Sequence, residues 1–265
     1  MNILYLGDIY GQRGIDVVGR LLADLRKEYD VDLVIAQGEN TSEGRSLIRK
    51  DYETLRNFGV DVFTGGNWSL FRPEALELLE DPEIPVIRPA NYPEGTAGKG
   101  WFVAGTHTGK VLVVSLLGSI VGKDADKPTD NPLRVIDRIL DDLRGQTFAA
   151  IVVNLHGDFS SEKMIIGYYL DGRAALVAGD HWHTPTADAM VLPKGTAHIT
   201  DVGMCGVLHA SLGVKLDVVI DRWKNGHINR NEPEMNGPLQ LNGVLVDVDE
   251  VTGLARSIQQ VQRVI

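Results

Sequence analysis

Short apolar runs alternate with segments of helical periodicity along most of the chain. The run NILYLG at 2–7 predicts a strand, and after a turn at 8–14 apolar residues at helical spacing predict a helix. Those residues are Ile15, Val18, Leu22 and Leu25. Further strands are predicted at 31–36, 61–64, 149–155, 174–178, 242–248 and 255–264, and further helices near 50–58, from Pro73, at 133–143, 162–170 and near 214–223.

The middle of the chain predicts a hairpin and then a long loop. Residues 101–116 read as two strands that turn at Thr108–Gly109, after the apolar run IPVI at 84–87 closes the first half. The polar stretch 119–131 is expected to be a surface loop, and a loop-rich region is expected up to about residue 212. Strands separated by helices favour parallel βαβ units, whereas the hairpins indicate mixed sheets. Because no repeat or linker interrupts the pattern, residues 1–265 are expected to form one domain.

Composition narrows the class of protein. Hydrophobic residues make up 43% and charged residues 23% of the 265 residues, which is typical of a globular protein. The formal net charge of −10 argues against bulk nucleic-acid binding, which requires clustered Lys and Arg, but leaves open a small phosphate ester held by metal ions. The longest apolar run, 111–121, is shorter than the roughly 20 residues that span a bilayer. We therefore expect a cytoplasmic enzyme without membrane association. The single cysteine, Cys205, excludes an intrachain disulfide and a Cys-based zinc framework, and is expected to be a buried thiol.

Polar residues with ligand chemistry follow five of the predicted strands. They are Asp8 after the first strand, Glu39 and Asn40 after the second, Asn67 after the third, His156 after the strand at 149–155, and His181 and His183 after the strand at 174–178. Because ligands bind at the carboxyl ends of strands in open α/β sheets, we expect these side chains at one edge. A mixed nitrogen and oxygen set suits Mn, Fe or Zn better than Ca or Mg. Seven candidates exceed what one tetrahedral zinc needs, and a carboxylate bridging two metals about 3.5–4 Å apart would use the surplus.

Each of these residues alone also has a structural explanation. An Asp after a strand is commonly a turn or helix cap, and a single His is more often a hydrogen-bonded core residue than a metal ligand. His181 and His183 are expected on an extended segment, with both imidazoles on the same face. Glycines beside Asp8, Glu39 and Asn67 allow the backbone to crowd a site, which a cap does not require. The combined pattern therefore favours metal binding.

Five short motifs carry a family resemblance. They are GD at 7–8, GEN at 38–40, GN at 66–67, His156 after a strand, and G-x-H-x-H at 179–183, supported by RPANYPEGTAGKG at 88–100, SEK at 161–163 and LPKGTA at 192–197. With them the chain resembles the calcineurin-like metallophosphoesterase superfamily and, more closely, the YmdB-like family of bacterial metallophosphoesterases. The resemblance implies a four-layer α/β/β/α sandwich of two mixed sheets. It also implies a homo-oligomer that hydrolyses phosphoesters, notably cyclic nucleotide phosphodiesters, at a dinuclear metal site.

The resemblance further implies how the ligands are shared. Asp8, Asn40 and His183 would hold one metal ion, Asn67, His156 and His181 would hold the second, and Glu39 would bridge both. The cofactors would be two divalent or mixed-valence ions, Fe or Mn, with Zn as an alternative. The phosphoester would be attacked by a hydroxide that bridges the two ions.

Trp68 departs from the family pattern. After Gly66–Asn67 the resemblance places a His that protonates the leaving group, and an indole cannot serve as that acid because its N–H is only a hydrogen-bond donor. Loss of a general acid costs about 10²–10⁴-fold, so esters with alkoxide-like leaving groups are expected to be affected most. Trp68 is expected either to form an apolar lid over the metal edge or to stack on a nucleobase.

The expected function is that of a dinuclear metallophosphodiesterase acting on small nucleotides. The alternatives are a catalytically weakened metal- or nucleotide-binding regulatory protein and a phosphomonoesterase. If another residue replaces the acid, His107, Asp180 and His209 are the candidates. Lys99 and Lys163 could contact phosphate, but Lys is more often solvated, and solvation is the expectation for both.

Overall fold

The computed structural model describes residues 1–122 and 125–265. Lys123 and Asp124, which belong to the expected loop at 119–131, lie outside the described residues. The described strands are β1 (Asn2–Leu6), β2 (Asp8–Ile9), β3 (Leu33–Gln37), β4 (Val62–Thr64), β5 (Trp101–Thr106), β6 (Gly109–Leu117), β7 (Ala150–His156), β8 (Leu176–Asp180), β9 (Met190–Val191), β10 (Ala197–Ile199), β11 (Met204–Val207), β12 (Leu239–Val248) and β13 (Ala255–Val264). The described helices are α1 (Gly11–Glu28), α2 (Arg49–Phe58), α3 (Leu76–Leu79), which continues a 3₁₀ turn at Pro73–Ala75, α4 (Pro132–Asp142), α5 (Ser160–Tyr169) and α6 (Leu216–Asn225).

The strands of the described ranges form two mixed sheets. The first has the order β2–β11–β12–β1–β3–β4, with β13 paired to β12. In it β1, β3 and β4 are parallel neighbours, whereas β12 is antiparallel to β1, β11 and β13. The second has the order β5–β6–β7–β8–β10–β9, with parallel pairing from β6 to β10 and an antiparallel strand at each edge.

Alternate residues of the central strands pack into different layers. On β1, Ile3 and Tyr5 belong to the core between the two sheets, whereas Leu4 and Leu6 pack in the core that contains the apolar faces of α1 and α2. β6 alternates in the same way between the inter-sheet core and a third core formed with α4 and α5. Helices therefore cover the outer face of each sheet, and the predicted four-layer α/β/β/α sandwich is confirmed.

Most of the predicted elements are confirmed. The run at 84–87 reaches the first sheet through a bridge between Val86 and Phe63 of β4. The region up to residue 212 contains three strands, β9 to β11, whose lengths of two to four residues are too short for an alternating pattern to appear. Cys205 lies in one of them and is buried, as expected. Over the described ranges, no helix is both long enough and apolar enough to cross a membrane.

Candidate metal centre

The ligand candidates from the sequence meet where strand ends of the two sheets approach each other. Asp8 begins β2 directly after β1, Glu39 and Asn40 follow β3, Asn67 follows β4, His156 ends β7, and His181 and His183 follow β8. The carboxyl ends of parallel strands share one edge of each sheet, so residues up to 175 positions apart come together. The predicted clustering is confirmed, and most of the set is buried.

Three potential ligand atoms surround Nε2 of His156. Its Nε2 atom is 3.0 Å from Oε1 of Glu39, 2.9 Å from Oδ1 of Asn67 and 2.8 Å from Nδ1 of His181. Two imidazole nitrogens at this separation repel unless a proton or a cation satisfies their lone pairs. Glu39, His156 and His181 together form a group that could hold a metal ion.

Asp8 anchors a second group of ligand atoms beside the first. Nε2 of His183 lies 3.2 Å from Oδ1 of Asn40 and 3.7 Å from Oδ1 of Asp8, while Oδ2 of Asp8 accepts the backbone N–H of His181 at 3.2 Å. Within the described residues, Oδ1 of Asp8 and Oε1 of Glu39 are buried without a hydrogen-bond donor. Burying a carboxylate oxygen without a hydrogen-bond donor raises the free energy of the folded protein. A bound cation would compensate the charge of both oxygens.

Each of the three histidines has an acceptor on the ring nitrogen that faces away from these groups. The acceptors are Oδ1 of Asp180 for Nδ1 of His156 at 2.6 Å, Oδ1 of Asp158 for Nε2 of His181 at 3.3 Å, and the carbonyl oxygen of Leu212 for Nδ1 of His183 at 3.1 Å. An acceptor in this position keeps the ring proton on the outer nitrogen and leaves a lone pair on the inner one. Histidine ligands of protein-bound metals are oriented in the same way.

Burial sets the protonation of two of these rings. It lowers the pKa of His181 to about 2, with the charges of His156 and His183 acting in the same direction. It also lowers the pKa of His183 to about 4, although the hydrogen bond to the Leu212 carbonyl partly opposes the shift. Both imidazoles are therefore neutral near pH 7, which is the form that binds a metal ion.

His156 and Asp8 are shifted toward their protonated forms. Burial disfavours the charged His156 ring, but the nearby Glu39 and Asp180 carboxylates outweigh burial and raise its pKa well above the usual value. Burial, followed by the charge of Asp180, raises the pKa of the Asp8 carboxyl. Both shifts, of His156 and of Asp8, favour protons that a bound metal ion would displace.

Asp180 is held more firmly than the sequence suggested. Its Oδ2 atom accepts hydrogen bonds from Tyr5 at 2.8 Å, Gln37 at 3.2 Å and Asn154 at 2.6 Å, while its Oδ1 atom accepts from His156. A fully buried carboxylate with all its partners inside the protein cannot protonate a leaving group, so its expected place as a replacement acid is wrong. It orients His156 instead. Its position directly before the G-x-H-x-H histidines was the available signal.

Two glycines of the predicted motifs allow the close approach on which the site depends. A Cβ atom on Gly66 would lie 2.4 Å from the His156 ring and 2.6 Å from Oε2 of Glu39. On Gly7 it would lie 2.0 Å from the carbonyl oxygen of Gly203. Neither distance is possible for a real side chain, so the expectation that these glycines let the backbone crowd the site is confirmed at both positions.

The segment that carries His181 and His183 is not extended. Both residues have positive φ angles, 106° and 60°, in a region that non-glycine residues rarely adopt. As a result His181 points toward His156, whereas His183 points toward Asn40. The expectation that both imidazoles share a face is therefore wrong, because alternation along a strand requires extended backbone.

A buried ion pair supports this bent segment. Lys163 is only 1% exposed, and its Nζ atom lies 2.9 Å from Oδ2 of Asp201 and over the ring of Trp182. The same Asp201 oxygen accepts the backbone N–H of Trp182, between the two histidines, at 2.8 Å. The expectation of a solvated Lys163 is wrong, since its charge is paired inside the fold. Lys99 is exposed, as expected, and its Nζ donates to the Pro82 carbonyl.

A cleft of about 1310 Å³ opens onto the ligand groups. Besides Glu39, Asn40, His181 and His183 it is lined by Tyr10, Arg45, Trp68, Phe71, Asp158 and Trp182, among others. Trp68 is half-buried, and its backbone N–H donates to Oε2 of Glu39 at 2.8 Å. Its ring meets Phe71 edge to face, with centroids 5.2 Å apart. The side chain at position 68 therefore forms part of the cleft wall beside the ligand groups.

The other acid candidates lie elsewhere. His107 is exposed at the hairpin turn, 3.2 Å from Asp32, and His209 is exposed, and neither is among the described residues that line the cleft. Asp158, which does line it and faces His181, was missed in the sequence. Its position two residues after His156 was the available signal.

Comparisons with known proteins identify the family of this chain. Residues 4–261 match the profile of the family described as YmdB-like protein. Over 262 residues the chain is 35% identical to the 2',3'-cyclic-nucleotide 2'-phosphodiesterase of Bacillus subtilis (strain 168), in a match that covers 98% of this chain and 96% of that protein.

Solved structures agree as well. The crystal structure of a hypothetical protein from Thermus thermophilus matches with a TM-score of 0.90 and 36% identity over 100% of this chain and 99% of that one. The crystal structure of a novel phosphatase from Mycoplasma pneumoniae matches with a TM-score of 0.92 and 30% identity over 100% and 93%. The resemblance seen in the short motifs is thus confirmed over nearly the whole length, and the chain belongs to the YmdB-like family.

Proposed function

We propose that this chain is a dinuclear metal-dependent phosphodiesterase that hydrolyses small nucleotide phosphodiesters, cyclic nucleotides among them. Its family, and relatives named as a phosphodiesterase and a phosphatase, indicate a hydrolase of phosphoester bonds that uses divalent metal ions. The observation that carries the proposal is the set of three histidines whose inner nitrogens face buried carboxylate and amide oxygens at the cleft. Such a donor set fits two Mn or Fe ions.

The ligand candidates form two groups of contacts, and each group would hold one ion. Glu39, Asn67, His156 and His181 would hold one ion, and Asp8, Asn40 and His183 would hold the other; the family resemblance implies that Glu39 would serve both. When bound, such ions lower the pKa of a coordinated water toward neutrality and neutralise charge on the phosphoryl oxygens. An acidic protein can in this way bind an anionic ester, because the charge of the site is set by its ions.

Side chains around the ligand groups orient the histidine rings and the Glu39 carboxylate. Asp180 and Asp158 face the outer ring nitrogens of His156 and His181, so that the inner nitrogens are the ones directed at a metal ion. Trp68 donates its backbone N–H to the Glu39 carboxylate. At the position of the family's general acid it offers no titratable proton. We therefore expect diesters with acidic leaving groups to be the best substrates.

Hydrolysis of bis(p-nitrophenyl) phosphate by the manganese-loaded protein tests the proposal. The leaving group of this substrate, p-nitrophenolate, departs without needing a proton donor. The rate therefore reports on the metal centre alone. We expect turnover by the wild type and by His209→Ala, whose histidine is exposed outside the cleft, and none by His181→Ala. Metal content would be measured in all three proteins.

A wild type that binds two metal ions and hydrolyses no diester would contradict the proposal. It would favour the regulatory alternative, in which Trp68 marks the loss of catalysis while the ligands persist. The Trp68→His variant would then decide the matter, since a restored acid should recover turnover if the rest of the centre is intact.

A further inference from the structure

Arg45 is a half-buried cation in the cleft wall that packs against aromatic rings. The Cζ atom of Arg45 lies 4.4 Å from the ring centroid of Trp68 and 4.7 Å from that of Phe71. In the part of the chain that the structure describes, no carboxylate lies within ion-pair distance of this guanidinium, and it makes no hydrogen bond. Its five N–H donors are therefore directed by packing and remain available for a ligand.

A neighbouring arginine in the same cleft is used differently. Arg72 forms an ion pair with Glu43 at 2.7 Å and donates through Nε to the carbonyl oxygen of Arg45 at 3.0 Å. Its charge is already compensated within the protein. Arg45 lines the cleft without such a partner, so its donors are available to an anionic ligand that enters there.

Arg45 is tied to the ligand groups by its neighbours in the chain and in space. It follows Gly44, whose carbonyl oxygen accepts the side-chain N–H of Asn40 at 3.0 Å. The Trp68 ring beneath it belongs to the residue whose backbone N–H donates to Glu39. Asn40 is thus hydrogen-bonded to the residue before Arg45, and Glu39 is hydrogen-bonded to the residue on whose ring Arg45 packs.

Tyr10 also connects Arg45 to the ligand groups. It packs against Gly44, the residue before Arg45, since a Cβ atom on Gly44 would lie 3.0 Å from the Tyr10 hydroxyl oxygen. The Tyr10 ring meets the His183 ring edge to face with centroids 5.6 Å apart. An anion that reaches the ligand groups from the cleft therefore passes within the field of Arg45.

We propose that Arg45 is a catalytic residue that donates hydrogen bonds to the leaving oxygen of the phosphodiester, and that Trp68 and Phe71 position it. The inference rests on the proposed function. Arg45 is always protonated and does not give up its proton. It acts by stabilising negative charge that appears on the leaving oxygen in the transition state.

The step balances without a general acid. The oxygen of a water molecule forms a new bond to phosphorus, and the bond between phosphorus and the leaving oxygen breaks with its electron pair on that oxygen. The oxyanion, held by the guanidinium, takes a proton from solvent, and the attacking water releases one proton to solvent. Diester and water thus become monoester and alcohol. On this view Trp68 supports a permanent cation at the place where the family pattern has a proton donor.

The expected effect depends on the leaving group. Removing one preorganised donor from a developing oxyanion typically costs about 10²–10³-fold in turnover. The cost rises with the basicity of the leaving oxygen, because a more basic oxygen carries charge that it stabilises poorly by itself. A contact to a non-bridging phosphoryl oxygen would instead lower all rates by one common factor.

The test compares leaving groups in the full-length, manganese-loaded protein. Arg45→Met keeps a long side chain over the two rings and removes the donors, and Arg45→Lys keeps the charge without the planar fork. Values of kcat/KM would be measured for methyl p-nitrophenyl phosphate, methyl phenyl phosphate and 2',3'-cyclic AMP. Arg49→Met is the matched control, because Arg49 is exposed at the start of α2 and pairs with Glu77 at 3.6 Å.

We expect Arg45→Met to lose about tenfold with the p-nitrophenolate leaving group and about 10²-fold or more with the alkoxide of the cyclic nucleotide, with partial recovery in Arg45→Lys. Arg49→Met should match the wild type on all three esters. An equal loss on every ester, or no loss, would overturn the assignment. A wild type inactive on all three while holding two manganese ions would overturn the proposed function itself, so the two failures are distinguishable. Metal content and thermal unfolding of each variant identify any loss that comes from misfolding.

Discussion

Replacing Asp180 by Asn is expected to weaken metal binding while leaving the side-chain volume unchanged. Oδ2 of Asp180 accepts from Tyr5, Gln37 and Asn154 at 2.8, 3.2 and 2.6 Å. An amide in this place keeps its oxygen toward those three donors, so its NH₂ group faces Nδ1 of His156. That nitrogen must then accept a hydrogen bond, which moves the ring proton to Nε2.

The change removes the lone pair that the candidate site uses. Nε2 of His156 lies 3.0 Å from Glu39 and 2.8 Å from His181, and only an unprotonated nitrogen there can bind a metal ion. Loss of the outer partner of a histidine ligand typically costs about 10–100-fold in metal affinity, or about 1.4–2.8 kcal/mol. We expect at least this loss for the ion beside His156 and little change for the ion beside Asp8.

Calorimetric titration of the metal-free protein with Mn²⁺, together with metal analysis after dialysis, would measure the effect. Asp171→Asn is the matched control, since Asp171 is also a buried carboxylate and accepts the backbone N–H groups of Lys194 and Thr196 away from the site. We expect the control to bind two ions as the wild type does and Asp180→Asn to bind one of them weakly. Two ions bound by Asp180→Asn with wild-type affinity would refute the reasoning about the ring proton.

Three further results are expected. Gly66→Ala should lower turnover of bis(p-nitrophenyl) phosphate about 10²-fold, because its Cβ would lie 2.4 Å from the His156 ring and must displace it; an unchanged rate in a folded variant would contradict this. Neighbouring carboxylates raise the pKa of His156 in the metal-free protein, so metal binding should release protons and metal affinity should increase as pH rises through that pKa. Calorimetric titrations in buffers of different ionisation enthalpy should therefore give different heats of binding. Lys163→Met leaves Asp201 buried without its partner and should reduce the free energy of unfolding in urea by about 3–5 kcal/mol. Lys99→Met, at an exposed position, should change it by less than about 0.5 kcal/mol. Equal urea midpoints for Lys163→Met and the wild type would show that the ion pair contributes nothing.

Local pattern was sufficient for most elements because they are long or buried on both faces. The strands β1, β3 and β7 are nearly fully buried and read as apolar runs, and α1 repeats its apolar residues over five turns. Pattern failed where an element is only two to four residues long, as in β9 to β11.

The sequence by itself determined which side chains would meet, because parallel strands bring the residues after their carboxyl ends to one edge wherever those residues lie in the chain. Tertiary structure alone decided what each of them faces. That Asp180 holds His156, that Lys163 is paired with Asp201 across 38 positions, and that Arg45 lies between two rings are consequences of side chains packed from several layers. Hydrogen-bond partners, proton positions and burial depend on distances of a few ångströms between segments remote in the chain, and no local pattern of residue types specifies such distances.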